Sequence, residues 1–401
     1  MIRSIVYSLA LPPGTLSRDL KLIFVSNFIG AVGDGLYSYL LPIHIRGLGA
    51  SSTDVGFLYS IFILSTALTI IPGGFLADRY DRKKVIVLGW LLWVPVPLMF
   101  SASTNWTQLP PVMALYGFFL SGPATSAYIA TFARKDRVTL TYTLISASWW
   151  TGYIFSPGLG GYLATIVGMP NVLILSFALY TAAAMVLLLI RSQHVKTPSE
   201  TQTSQQNTAA PHVQKIIILS VFFGFVFFFL NLVRPLVVQF FQDVHNLGSS
   251  SIGVLGSITF LGSAAFSILL GKAGDKLGKM VAAATALLVG GFSFALFIYF
   301  NNFLALACAS FLYGASYMLW SLMGASVGSI APEASRGRWI SLAQMSATLA
   351  ASVAPFVGGV LYGWSPPVPF YVIIAVSPLL ALVALARPFK EKHPKNDDTT
   401  K

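Results

Sequence analysis

Charge is what this chain has least of. Lys, Arg, Asp and Glu make up 9% of its 401 residues, 55% are hydrophobic, and mean hydropathy is +0.74. An ordinary soluble domain is roughly 25% charged, so this composition implies an integral membrane protein. Cysteine is nearly absent: Cys308 is the single one, lies in an apolar run and allows no intrachain disulfide, so a structural core residue is expected. The five histidines fall near outer loops (His44, His245) or in polar stretches (His194, His212, His393), without metal-ligand spacing. No glycine-rich phosphate loop occurs, which argues against a nucleotide-driven pump. Gly324, Ser326 and Gly328 spell G-x-S-x-G, but inside an apolar run; small residues for helix packing explain the match, and no enzyme, cofactor or metal is expected. The stretch Ile5 to Leu11 is too short to span, ends at Pro12 and Pro13, and has no small-residue cleavage site, so no cleaved signal peptide is expected.

What is present is a series of apolar runs of the length a bilayer requires, about 20 residues. They fall near 21–45, 54–77, 84–103, 109–132, 140–167 and 171–191, then near 215–241, 252–273, 280–300, 303–330, 340–362 and 368–387. An all-α membrane protein with twelve spans in two pseudo-symmetric sets of six follows. The expected organisation is a bundle over 1–191, a linker over 192–214, a second bundle over 215–387 and a disordered tail over 388–401. With both termini inside, 23 of the 25 basic residues face the cytoplasm, which fixes the expected orientation and explains the net charge of +12 without nucleic acid. Short loops suggest a prokaryotic inner membrane.

The two sets register at nearly one offset. GFLADRYDRKK (Gly74 to Lys84) is echoed by GKAGDKLGKM (Gly271 to Met280), with Asp78 and Asp275 197 residues apart. LYG at 115–117 recurs at 312–314, LGASSTDVG near Gly49 is echoed near Gly248, and SPGLGG at 156–161 is matched by APFVGG at 354–359. Because six crossings return the chain to the same side, the repeat is parallel, about an axis along the membrane normal.

These residues resemble the major facilitator superfamily over the whole chain apart from tails and linker. The loop after span 2 is similar to the family signature G-x-L-A-D-R-x-G-R-K through Gly74, Leu76, Ala77, Asp78, Arg79, Arg82 and Lys83, with Asp81 in place of the second glycine. Gly271, Asp275, Lys276, Gly278 and Lys279 keep the frame in the copy. The glycine permits close helix approach and the carboxylate suits the amino end of a neighbouring helix, while Arg79 and Arg82 can pair with nearby acids. The resemblance implies a cytoplasmic latch in which Asp78 meets the segment of Arg336 and Arg338, and Asp275 that of Arg134 and Arg137. A solvated positive-inside loop is the plainer alternative. In span 5, Gly152, Pro157, Gly160 and Gly161 resemble an antiporter signature associated with exporters, with Ser156 at a usual glycine; plain helix contact through small residues explains them equally. Span 4 has no arginine from Gln108 to Thr131, where proton-driven drug exporters of the family commonly carry one.

Two ionisable residues lie at membrane depth, Asp34 in span 1 and Arg234 in span 7, within about a turn of equivalent positions. They are candidates to pair, and neutralising Asp34 would then shift a balance between states. A permanently bonded structural acid and an arginine snorkelling to the outer interface are the alternatives. Candidate cavity residues are Asn27, Tyr37, Trp149, Trp150, Tyr153, Asn231, Tyr313, Tyr317, Trp320 and Gln344; packing or lipid contact is the competing role for each aromatic. The expected function is alternating-access secondary transport in the bilayer by a monomer, with protons as coupling ion and export of small apolar or weakly charged organic compounds. Uptake of a polar solute or anion past Arg234, and a non-transporting sensor or scaffold, are the alternatives.

Overall fold

The computed structural model describes residues 16–133, 138–193, 210–332 and 336–386. The leading stretch Ile5 to Leu11, most of the linker, the tail, and Arg134 and Arg137 lie outside the described residues. Helix runs through each of the twelve apolar segments: α1, Arg18–Gly35 continued by Leu41–Gly47; α2, Ser52–Arg79; α3, Arg82–Ala102; α4, Trp106–Phe132; α5, Val138–Val167; and α6, Met169–Leu188. The second set is α7, Val213–Asp243; α8, Ser249–Leu277; α9, Lys279–Tyr299; α10, Phe303–Ile330; α11, Arg336–Trp364; and α12, Val368–Ala384.

Among the described residues nine of these are long and apolar enough to cross a membrane. The other three fall short for separate reasons. α1 carries Arg18, Asp19, Lys21 and Asp34 and breaks at Leu36, α5 is diluted by Trp, Tyr, Ser and Gly, and α12 has 17 residues.

Local signals set several boundaries. Ser51 and Asp54 form a capping box that starts α2. Asp81 caps α3, accepting from the Lys83 backbone N–H at 2.9 Å with φ of −53°, so the motif's usual glycine is not needed there. At the equivalent position Gly278 has φ of +103°, a conformation only glycine adopts cheaply.

Pairing of helices repeats after a shift of six. α1 packs on α5 as α7 does on α11, α2 on α4 as α8 on α10, α3 on α6 as α9 on α12, and α5 on α8 as α11 on α2. The last two contacts join the sets. Lipid is as apolar as leucine and gives no drive for helix association, so small residues that let backbones approach carry these interfaces. Large apolar side chains such as Phe292, Leu304, Leu379 and Leu382 stay exposed on the outer helices instead.

The interface between the sets is built twice. A Cβ at Gly253 would lie 2.3 Å from the carbonyl oxygen of Pro157, and one at Gly56 would lie 2.2 Å from that of Pro355. Gly161 meets the Ser249 carbonyl as Gly359 meets that of Ser52, at 2.3 and 2.4 Å. The backbone N–H of Gly158 donates to Ser257 Oγ at 3.0 Å, and that of Phe356 to Ser60 Oγ at 3.1 Å. All these contacts lie in the half remote from the linker, which is therefore the sealed end.

Candidate functional site

Helix breaks frame the site. α1 is interrupted at Leu36–Leu40 and α7 at Arg234 and Pro235, where proline supplies no backbone N–H. α4 loses its ladder after Tyr116 and α10 tightens to a 3-10 turn over Gly314–Tyr317. These irregularities fall at repeat-equivalent positions and bring side chains from four helices to one cavity; interrupted backbone at membrane depth is tolerated where it lines such a space.

Asp34 is buried at its wall. Tyr116 Oη donates to Asp34 Oδ1 at 2.8 Å, Tyr180 Oη donates to the same oxygen, and Tyr153 Oη donates to Oδ2. The Tyr37 and Tyr180 hydroxyls lie 3.4 Å apart behind them. The carboxyl is thus held by phenols from α4, α5 and α6, an arrangement that neutral donors can maintain whether or not the acid carries a proton.

The cavity, about 240 Å³, is lined by Asp34, Tyr39, Tyr59, Tyr116, Trp149, Trp150, Tyr153, Arg234, Phe260, Tyr313 and Tyr317 among others. Arg234 stands over the Tyr317 ring, its guanidinium carbon 4.6 Å from the centroid. It does not snorkel outward, and it forms no ion pair with Asp34: the acid's oxygens are occupied by phenols and the guanidinium by an aromatic face. Two further cavities share walls with the first. One of about 220 Å³ adds Phe62, Thr66 and Trp93, and one of about 310 Å³ runs from Trp149 past Asn27 to Ile129 and Tyr142, toward the linker end.

Of the expected cavity residues, Trp149, Trp150, Tyr153, Tyr313 and Tyr317 line the space shared with Asp34, and Asn27 lines the chamber beneath. Tyr37 is fully buried one layer behind. Asn231, Trp320 and Gln344 do not line it. Asn231 Nδ2 donates along its own helix to Phe227 at 2.8 Å, and the Trp320 ring packs 5.4 Å from that of Phe227. Tyr116 and Tyr180 were not singled out from sequence. The register offered a signal for the first, since Tyr116 is the repeat equivalent of Tyr313; Tyr180 sits in an apolar run that carries none.

Of the span 5 signature, Gly152 abuts Ala31 of α1, Gly160 abuts the Leu36 carbonyl, and Pro157 and Gly161 meet α8. At the linker end Asp78 and Asp275 are exposed and make no ion pair or side-chain hydrogen bond among the described residues. Gly74 and Gly271 have nothing within 4 Å of an added Cβ. Arg79 lies over the Phe75 ring at 4.3 Å. Arg82 donates to neutral acceptors, Thr131 Oγ1 at 2.8 Å, the Ala127 carbonyl at 3.2 Å and Gln193 Oε1 at 3.2 Å, rather than to an acid. Lys276, Arg336 and Arg338 are exposed at the same end.

Multidrug resistance protein 2 of Bacillus subtilis (strain 168) is 25% identical over 393 residues, covering 95% of this chain and 97% of that protein. The multi-drug resistance efflux pump PmrA homolog of Lactococcus lactis subsp. lactis (strain IL1403) is 25% identical over 369 residues, covering 86% and 89%. Among solved structures, a mutant of the nucleoside transporter NupG matches with a TM-score of 0.77 at 15% identity, covering 93% of this chain and 100% of that one, a likeness of fold. The family model described as Major Facilitator Superfamily matches residues 23–248 and 219–401, and the chain belongs to that family.

Proposed function

We propose that this membrane transporter exports small apolar or weakly charged organic compounds in exchange for protons, by alternating access of one central cavity. The observation that carries the reading is Asp34, an acid held by three phenols at the wall of a cavity between the two sets of helices. A charge at that depth is costly, so protonation or a bound ligand that neutralises it shifts the balance between two arrangements. Aromatic walls suit apolar cargo, and the relatives named for multidrug resistance and efflux support the outward direction. With the basic loops in the cytoplasm, the sealed end faces outward, the chambers lead inward, and the arrangement is one that loads from the cytoplasm. That Asp78 and Asp275 make no ion pair among the described residues fits it, because their latch closes in the opposite state. We place the protein as a monomer in the cell membrane with both termini cytoplasmic.

Uptake of a polar solute is the second reading, and Arg234 in the same cavity favours it. Vesicles holding the purified protein and an internal pH dye separate the two. Organic compounds added outside that drive protons in the opposite direction to themselves support exchange; movement in the same direction supports uptake; no proton movement with any of a broad compound panel counts against both.

A further inference from the structure

Arg234 is the cationic group that the coupling scheme leaves unused. Its Nε is buried and has no hydrogen-bond partner, and among the described residues its guanidinium meets no carboxylate and no acceptor, only the Tyr317 ring. An arginine has five donors and no way to shed its charge. At membrane depth such a group normally pairs with an acid or a backbone carbonyl, and removing a partner from a buried charge is strongly destabilising. Asp34 shares the cavity but already receives three phenol hydrogen bonds. Both oxygens of the acid have hydrogen-bond partners, whereas Nε of the base has none.

The asymmetry is specific to one set of helices. At 197 residues the register places Arg234 opposite Tyr37, so a position that is a buried phenol in the first set is a cation in the second. Its planar fork matches a carboxylate. Trp150 and Phe260, with ring centroids 6.4 Å apart, form an aromatic wall of the same cavity.

We propose that Arg234 is an anion-binding subsite of this cavity, which takes the carboxylate, or an equivalent planar oxyanion, of an aromatic organic compound. This rests on the reading of the cavity as the transport site. The ring lies against the aromatic wall, and the oxyanion supplies the acceptor that Nε lacks.

The test is binding of two matched probes to purified protein, followed by tryptophan fluorescence: 2-naphthoate and its methyl ester. The wild type is expected to bind the carboxylate at least about tenfold more tightly than the ester, the scale of hydrogen bonds to a charged group. Arg234→Gln should abolish that preference while leaving ester binding within about twofold, and Arg234→Lys should restore part of it. Equal binding of carboxylate and ester by the wild type, no binding of the carboxylate, or an undiminished preference in Arg234→Gln overturns the proposal. Ester binding in Arg234→Gln shows that the variant is folded; if it is lost, a preference kept in Arg234→Ala and in Arg234→Lys alike overturns the subsite, and a preference kept only in Arg234→Lys supports it. Proton exchange measured in vesicles is independent of this outcome, so the subsite and the coupling scheme fail separately.

Discussion

Arg46 and Asp243 are 197 residues apart and meet in an ion pair at 3.0 Å, so two positions related by the internal repeat touch each other across its axis. Tyr362 Oη donates to the same Asp243 oxygen at 3.0 Å, and Arg46 also donates to Ser52 Oγ at 3.0 Å. The cluster joins α1, α2, α7 and α11 at the sealed end.

Breaking this pair loosens the seal. Its side chains are 33% and 27% exposed, which limits it to under about 1 kcal/mol, equivalent to about a fivefold change in population. With Cys308 replaced by serine and a reporter introduced by Ser249→Cys, Asp243→Asn is expected to speed maleimide labelling about two- to fivefold. Exchanging the charges, Arg46→Asp with Asp243→Arg, should return the rate toward the parent. Identical rates in all three would remove the pair from the seal.

The doubled glycine contacts predict a doubled effect. Gly253→Ala and Gly56→Ala each drive a methyl group against a backbone carbonyl, and overpacking of this kind costs about 1–3 kcal/mol. Both should lower the thermal unfolding midpoint of the purified protein, whereas Gly271→Ala, with open space around it, should not. A drop for Gly271→Ala matching the other two would contradict the packing described.

Asp81 explains its own departure from the family motif. Besides capping α3 it accepts from the Gln193 backbone N–H at 3.3 Å, tying the stretch that follows α6 to the start of α3. Asp81→Ala should cost about 1 kcal/mol as a lost cap, read as a lower unfolding midpoint. An unchanged midpoint would show the cap to be idle.

His245, in the turn after α7, gives stability a pH dependence. Burial among the rings of Phe240 and Phe241 pushes its imidazole below the ordinary value of 6.5, against the opposing effects of the Phe297 carbonyl and Asn301. A depressed folded value means that folding favours the neutral ring, so this contribution is complete above pH 6.5 and is lost as pH falls below it. The unfolding midpoint of His245→Gln should fall less than that of the parent between pH 7.5 and 5.5. Parallel profiles would show that another group titrates.

Much of this was legible in the chain because periodic apolar runs and a repeat offset survive in one sequence. Helix through each of the twelve apolar segments is readable from those runs, nine of them of membrane-crossing length among the described residues, and the repeat brings Trp149, Trp150, Tyr153, Tyr313 and Tyr317 beside Asp34 and Arg234 at one cavity. The partners of Asp34 were harder. Phenols in apolar runs look like packing, and only the packing of α1 against α6 brings Tyr180 to the acid. Asn231 and Trp320 mislead for the converse reason: polar or aromatic character marks a residue, but the helix face decides what it meets. The break in α1 has no proline at its start, unlike that at Pro235, and only Gly33 and Gly35 hint at it.

The most direct test of the central claim is proton movement driven by a transported compound in vesicles containing either wild-type protein or Asp34→Asn. Loss of compound-driven proton movement in the variant, with compound binding still measurable, is the predicted result. Unchanged proton movement in Asp34→Asn would contradict the account.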